Sequence, residues 1–278
     1  MRSVSDKSQD GLSAAEQRAL LAVAAELADV ARPATLAHFR SDGLLAESKE
    51  RGHFDPVTAA DRASEQAMRA VLARLRPQDA IHGEEFGKAT GSSGLTWVLD
   101  PIDGTRAYLS GTPTWGVLVG LRSAERALLG IIDQPYIGER FTGGFGRAEV
   151  VGPHGKRKLA VRPARPLSEA ILFSTFPEVG SEAEGRAFRQ LAARARLTRY
   201  GMDCYAYALL AAGQIDLVVE AGLQPYDVVA PIAVIEAAGG IVTDWQGSPA
   251  LDGGRVLAAA NAEIHAAALA ILTEAPPG

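Results

Sequence analysis

An apolar run, Trp97-Val98-Leu99, ends in Asp100-Pro101-Ile102-Asp103-Gly104-Thr105. Two carboxylates and a hydroxyl thus stand where an expected buried strand stops, and carboxylate oxygens are the ligands that a hard cation such as Mg²⁺ takes. Pro101 fixes its own φ and biases Asp100 toward an extended backbone, while Gly104 can take a positive φ or admit a close approach. The two Asp side chains can therefore converge on one side of a tight turn. Thr105 stands where a helical turn can begin, its hydroxyl and the neighbouring backbone N–H groups aimed at one space, a natural place for phosphate. A bare D-x-x-D is also readable as an Asp-rich turn capped by Thr.

More carboxylates lie within reach of this turn. Glu84 and Glu85 follow Gly83 at the end of a short strand that could neighbour Trp97 to Leu99, which would bring Glu84 to the cluster; otherwise they are a charged turn. A shared Asp is well suited to bridge two cations roughly 3.5 to 4 Å apart. Asp227 precedes an apolar helix whose face is Val228, Ile232 and Ile235. It reads as that helix's N-cap, and equally as a carboxylate presented across a cleft by a second lobe.

The elements that must position these groups follow from periodicity. Leu20, Leu21, Val23, Ala24, Leu27 and Val30 recur at helical spacing behind Ser13 and Glu16, a capping box. Pro33 is expected to interrupt this helix, with Ala34 to Arg40 as a second, kinked piece. Ala59 to Leu75 reads as another helix, ended by Pro77. Short apolar runs then predict a largely antiparallel sheet: Ala80 to His82, Thr96 to Leu99, Trp115 to Leu121, Leu128 to Asp133 and Arg140 to Thr142. Later the pattern alternates: strand Ala170 to Phe173, helices Glu182 to Ala195 and Tyr205 to Ala212, strand Ile215 to Val219, helix Val228 to Ala238, strand Ile241 to Asp244. The lobe boundary is expected between Arg147 and Arg165. This gives a leader over 1–11 expected to be disordered, an N-terminal α+β lobe over 12–150 and a C-terminal α/β lobe over 151–278, with a frayed Ala-Pro-Pro-Gly end.

Bulk properties bound the function. A 278-residue chain can bury a large core. A formal net charge of −5 argues against a nucleic-acid partner bound through its phosphates. Lys156-Arg157-Lys158 reads as a solvated hairpin tip. One cysteine, Cys204, excludes an internal disulfide and a thiolate cage, and suits a reducing cytoplasm as a small buried residue. No stretch has the length of a membrane span. His38, His53, His82, His154 and His265 lack metal or nucleophile spacing and are assigned to structure or surface, and Gly143-Gly144-Phe145-Gly146 and Gly239-Gly240 to turns.

Taken together, Glu84-Glu85, Asp100-Pro101-Ile102-Asp103-Gly104-Thr105 and Tyr226-Asp227, in this order and spread across nearly the whole chain, resemble the inositol monophosphatase family of Mg²⁺-dependent, lithium-sensitive phosphatases. The resemblance implies a layered αβαβα sandwich in the α/β class. It implies that Glu84, Asp100 and the Ile102 carbonyl hold one metal, that Asp100, Asp103 and Asp227 hold a second, and that Asp61 lies near a third, weaker one. Glu84, Thr105 and Asp61 become the catalytic set, orienting or deprotonating a water that attacks phosphorus in line. Backbone N–H groups at Gly104 and Thr105 become the phosphate cradle. A homodimer acting on a small phosphate monoester is implied as well.

Within the family, the segments Asp103 to Tyr108, Gly111 to Gly116, Gly201 to Tyr207 and Glu220 to Asp227 look most like the bacterial histidinol-phosphate phosphatases. Inositol phosphatases usually carry Trp where this chain has Tyr226. Histidinol phosphate bears an ammonium and an imidazole, which carboxylates would meet; Asp203 and Glu220 are the candidates, each also readable as a helix-cap or strand-end charge. Arg106 is left outside the catalytic set. The rivals are an inositol-1-phosphate or broad sugar-phosphate phosphatase and, from another class, a regulatory binding protein on the same scaffold.

Overall fold

The structure, a computed structural model, describes residues 11–41, 47–48 and 56–274. The expectations for 1–10, for His53 and for the last four residues lie outside these. Helix α1 (Ala14–Leu36) starts at the predicted capping box, with the Ser13 N–H donating to Glu16 Oε2 at 2.8 Å and the Glu16 N–H to Ser13 Oγ at 3.3 Å. Pro33 does not end it. The helix continues to Leu36, and Ala37 to Arg40 is a turn, not a second helical piece. Burial of Ala28, Ala31 and Thr35 around the proline outweighs the single backbone bond that it removes.

The chain continues with β1 (Glu47–Ser48), β2 (Pro56–Val57), α2 (Ala59–Leu75), β3 (Ala80–Gly83), β4 (Gly87–Ala89), β5 (Thr96–Asp103) and α3 (Thr105–Ser110). Next come β6 (Gly116–Arg122), β7 (Ala127–Gln134), β8 (Glu139–Gly144), β9 (Arg147–Gly152) and β10 (Gly155–Lys158). The remainder is β11 (Ile171–Ser174), α4 (Glu182–Ala192), β12 (Leu197–Tyr200), α5 (Asp203–Ala211), β13 (Leu217–Leu223), α6 (Pro225–Ala237), β14 (Ile241–Thr243), β15 (Gly254–Ala259) and α7 (Ala262–Leu272). The first large sheet has the order β10-β9-β8-β7-β6-β5-β3-β4 and is antiparallel except where β3 runs parallel to β5. The second has the order β12-β11-β13-β15-β14, with β11 parallel to both neighbours. Residues 159–170 connect the sheets. Lys156, Arg157 and Lys158 form the exposed edge strand β10, beside the hairpin tip and not at it, and such charges blunt an open edge.

Alternation along the strands dictates the layering. Trp97, Leu99, Val117, Val119, Leu129 and Ile131 face α1 and α2, packing on Leu20, Leu27, Met68 and Leu72. Leu118, Ile132 and Phe141 point the other way, onto α5 and α6, which meet Phe173, Val218, Val256 and Ala258 of the second sheet on their far side. Leu172, Leu217, Val219 and Leu257 face outward onto α4 and α7. The result is the five-layer αβαβα sandwich.

Candidate functional site

Strict alternation would send Asp100 and Asp103 to opposite faces of β5, since they are an odd number of residues apart. The strand avoids this with a bulge. Its pairing with β6 steps from Asp100↔Leu118 to Asp103↔Gly116, one residue more on β5 than on its partner. Pro101 sits in the bulge, where a missing N–H costs no ladder bond, and Asp100 Oδ1 accepts the Ile102 N–H at 3.0 Å. Parallel pairing of Gly83 with Leu99 sets Glu84 next to the turn: its N–H donates to Leu99 O at 3.1 Å and its carboxyl hydrogen-bonds that of Asp100.

Asp227 arrives from the middle layer. Helix α6 begins at Pro225, earlier than the periodicity indicates, so Asp227 is the third residue of its first turn and not its N-cap. Gln224 caps the helix, and its N–H donates to Asp227 Oδ2 at 2.6 Å. What seats α6 is a row of glycines, Gly120, Gly130 and Gly143, paired side by side across β6, β7 and β8. A Cβ on them would lie 2.7 Å from Val229 Cγ1, 2.1 Å from Ala230 O and 2.4 Å from Val234 Cα respectively. Only a bare backbone lets the helix lie this low.

Asp100, Asp103 and Asp227 thereby bring one carboxylate oxygen each to within 4.8 Å of one another. Burial, then the charges of Glu84, Asp103 and Asp227, push the Asp100 carboxyl well above the usual carboxylate range. Asp103 is raised too, by burial and by Asp203 and Asp227, despite the 2.6 Å hydrogen bond that the Cys204 N–H donates to its Oδ2. Folding has forced like charges together, with Asp100 buried and Asp103 and Asp227 half-buried. The donors are all oxygen, which suits a hard divalent cation and opposes a soft one. Asp61 falls outside this group: buried at 1% exposure, it closes the capping box of α2, its Oδ2 accepting the Thr58 N–H at 2.8 Å and the Thr58 hydroxyl at 2.5 Å.

Beside the acidic group, Gly104 has φ +84° and α3 starts at Thr105, whose hydroxyl donates to Ile102 O at 3.2 Å. Asp203 lies directly over Gly104, where a Cβ would be 2.7 Å from its carboxyl carbon. It is half-buried, accepts from the Thr114 hydroxyl at 3.2 Å and has φ +46°, an uncommon conformation for a residue with a side chain. Glu220, 6% exposed, is engaged by Thr175 N–H (2.6 Å), Thr175 Oγ1 (2.9 Å) and Ser174 Oγ (3.2 Å).

A sequence model of the inositol monophosphatase family matches residues 16–276. The chain belongs to that family. Among relatives, it is 37% identical to the bifunctional phosphatase IMPL2, chloroplastic, of Arabidopsis thaliana over 96% of this chain and 78% of that one. It is 34% identical to a histidinol-phosphatase of Streptomyces coelicolor, over 91% and 97% of the two chains. An inositol monophosphatase from Zymomonas mobilis superposes with TM-score 0.80 at 38% identity, covering 94% of this chain and all of that one. The protein is accordingly a phosphatase, with the inositol monophosphatase fold and an acidic cluster able to bind metal.

Three contacts near these residues escaped the sequence. The Cys204 backbone N–H, which fixes Asp103, leaves no trace in residue type. Tyr226 packs edge-on against His82, ring centroids 6.0 Å apart, so His82 braces the residue before Asp227. Phe176 stands 44% exposed with the Arg106 guanidinium 5.0 Å from its ring centre. A phenylalanine beside Pro177 at a strand end was the one available signal.

Proposed function

We propose that this protein is a Mg²⁺-dependent phosphomonoesterase that hydrolyses L-histidinol phosphate to L-histidinol and phosphate, a step of histidine biosynthesis, in the cytoplasm and as a homodimer. Asp203 carries the choice of substrate: a carboxylate held in a left-handed backbone over Gly104 faces the space beside the phosphate cradle, where an ammonium would lie. The likeness to the histidinol-phosphatase adds to it.

Glu84, Asp100, the Ile102 carbonyl, Asp103 and Asp227 would hold two cations, with Asp61 near a third. Bound Mg²⁺ supplies the positive charge that polarises the phosphate and lowers the pKa of water. Glu84, set beside Asp100 by its N–H bond to Leu99 O, would take the proton of the attacking water as the bond from phosphorus to the alcohol oxygen breaks, and the departing alkoxide would take a proton from solvent. Thr105, tethered to Ile102 O, orients that water, and the N–H groups of Gly104 and Thr105 receive phosphate oxygens. Asp203 draws in the amine of the leaving alcohol.

The likeness to an inositol monophosphatase favours a second reading, inositol 1-phosphate or sugar phosphates as substrate. Steady-state kinetics with purified protein in Mg²⁺ decide between them. Histidinol phosphate should show a kcat/KM at least about tenfold above that of inositol 1-phosphate, and the reverse order would overturn the assignment.

A further inference from the structure

Behind the acidic group lies a cavity of about 430 Å³, within the size of small-molecule sites. Its floor is the face of β3 and β5 that α6 leaves uncovered. The helix is seated over Gly120 of β6, whereas Val98, the ladder partner of Gly120, already lines the cavity together with Thr96 and its neighbour Ala80. Three segments line this space and then run on into the acidic group. His82 precedes Glu84 by two residues, Val98 precedes Asp100 by two, and Pro225 precedes Asp227 by two. Glu84, Asp100, Asp103 and Asp227 themselves are not among the described residues that line it. The His82 ring also meets Tyr226 edge-on, centroids 6.0 Å apart, so the cavity wall bears on the residue beside Asp227. The two places share walls without sharing side chains.

The charge of the lining says what the cavity can take. Arg122 is committed: its Nη1 donates to Asp252 Oδ1 at 2.7 Å and to Leu251 O at 3.1 Å, its Nε to Ser123 O at 3.1 Å and its Nη2 to Ala124 O at 3.3 Å. It clamps two turns together as a wall, and Asp252 offsets its charge. Lys88, paired with His82 across β3 and β4, has no carboxylate partner among the described residues. Thr90 and Thr96 add hydroxyls, while Leu95, Val98 and Pro225 give an apolar side. One uncompensated cation with apolar surface suits a small organic molecule bearing a single carboxylate. A phosphate dianion is better served by a free guanidinium fork, and here the guanidinium is spent. We propose that this cavity is a second binding site, which takes a small organic monocarboxylate through Lys88, and that filling it favours cation binding at the acidic group by bracing Pro225 and His82. The phosphatase thereby answers to a molecule that it does not hydrolyse. Such coupling is reciprocal, so a cation at the acidic group tightens the carboxylate by the same factor.

Calorimetry of the whole chain tests both halves without any turnover. In chelator, 3-phenylpropionate should bind at least about tenfold more tightly than the neutral 3-phenylpropanol and than inorganic phosphate, since one charge contact is worth about a factor of ten. Lys88→Glu should abolish that preference and Lys88→Arg keep it, while Lys158→Glu, an exposed lysine on β10, should leave it unchanged. Saturating Mg²⁺ should lower the Kd of 3-phenylpropionate about fivefold or more. His82→Ala, which removes the packing on Tyr226, should still bind the acid in chelator and lose most of this gain. Equal binding of acid and alcohol, tighter binding of phosphate, or binding that survives Lys88→Glu would overturn the site. A Kd that Mg²⁺ leaves unchanged, or a gain that persists in His82→Ala, would overturn the coupling through Tyr226. The binding measured in chelator stands apart from the phosphatase reading, so a failure of the proposed substrate would leave it intact.

Discussion

Asp100 shows how a single residue can weaken the fold that it serves. Its carboxyl is buried among Glu84, Asp103 and Asp227, so ionising it in the metal-free protein works against folding, and its raised pKa states that directly. Asp100→Asn keeps the shape, including an Oδ1 for the Ile102 N–H, and removes a charge. In chelator at neutral pH, differential scanning fluorimetry should therefore show Asp100→Asn melting about 2–4 °C above wild type, the rise that roughly 1 kcal/mol gives at this size. Turnover should be abolished and the Mg²⁺-induced rise in Tm lost; a variant still activated by Mg²⁺ would remove Asp100 from the metal site. Glu220 gives a pH-dependent case. Burial, the largest cause, pushes its pKa up from 4.5 to about 7 against the lowering hydrogen bonds of Thr175 and Ser174. A carboxyl raised in the folded state favours folding while protonated, and this contribution drains away between about pH 4.5 and 7, amounting to about 3 kcal/mol. The Tm of Glu220→Gln minus that of wild type, both metal-free, should climb between pH 5 and pH 8. A flat difference would show that Glu220 stays ionised throughout.

Helix α6 depends on what β6, β7 and β8 leave out. The sequence marks those strands through their apolar runs, and the Asp100 to Thr105 turn through Pro101 and Gly104, because each signal is local. It does not show that Gly120, Gly130 and Gly143 align across three strands, since alternation assigns a residue to a face without saying which helix covers that face. The early start of α6 at Pro225 was hidden for a related reason: Gln224 is a weak capping residue by type, and only its pairing with Asp227 makes it one. Likewise β12, β15 and α7 carry short or uniformly apolar patterns whose type is set by the neighbours they pack on. The glycine row makes a sharp test. Gly130→Ala puts a methyl 2.1 Å from Ala230 O, so α6 must lift and carry Asp227 away from Asp100 and Asp103. Overpacking of this kind costs about 1–3 kcal/mol. The half-saturating Mg²⁺ for turnover should rise by about tenfold or more, while Gly146→Asn, at a turn with open space around it and a positive φ that Asn tolerates, should leave that value alone. Equal Mg²⁺ dependence in both variants would mean that α6 does not set the site.

Across the whole molecule, the acidic group joins parts of the chain that share no strand ladder. Asp100 and Asp103 belong to the first sheet, whereas Asp227 rides on the central helix layer, between that sheet and the one that follows it. The other ties across the layers are permanent, such as Asp133, fully buried, gripped by Arg32 at 2.7 Å and Arg140 at 2.6 Å to bind α1 to β7 and β8. The carboxylate group is conditional, repulsive without a cation, and a bound cation would make it cohesive. Metal binding should thus stabilise the entire sandwich and not one lobe, because lifting Asp227 away means parting the middle layer from the first sheet. A ligand at a hundred times its Kd adds about 2.7 kcal/mol to a fold that binds it only when native, which for a chain of this size is a rise of about 5–10 °C in Tm. Calorimetry of the wild type with increasing Mg²⁺ should show a single transition moving upward by that amount. Asp227→Asn should flatten the shift without splitting the peak. Two transitions, only one of them responding to Mg²⁺, would show that the layers melt independently and that the cation does not couple them.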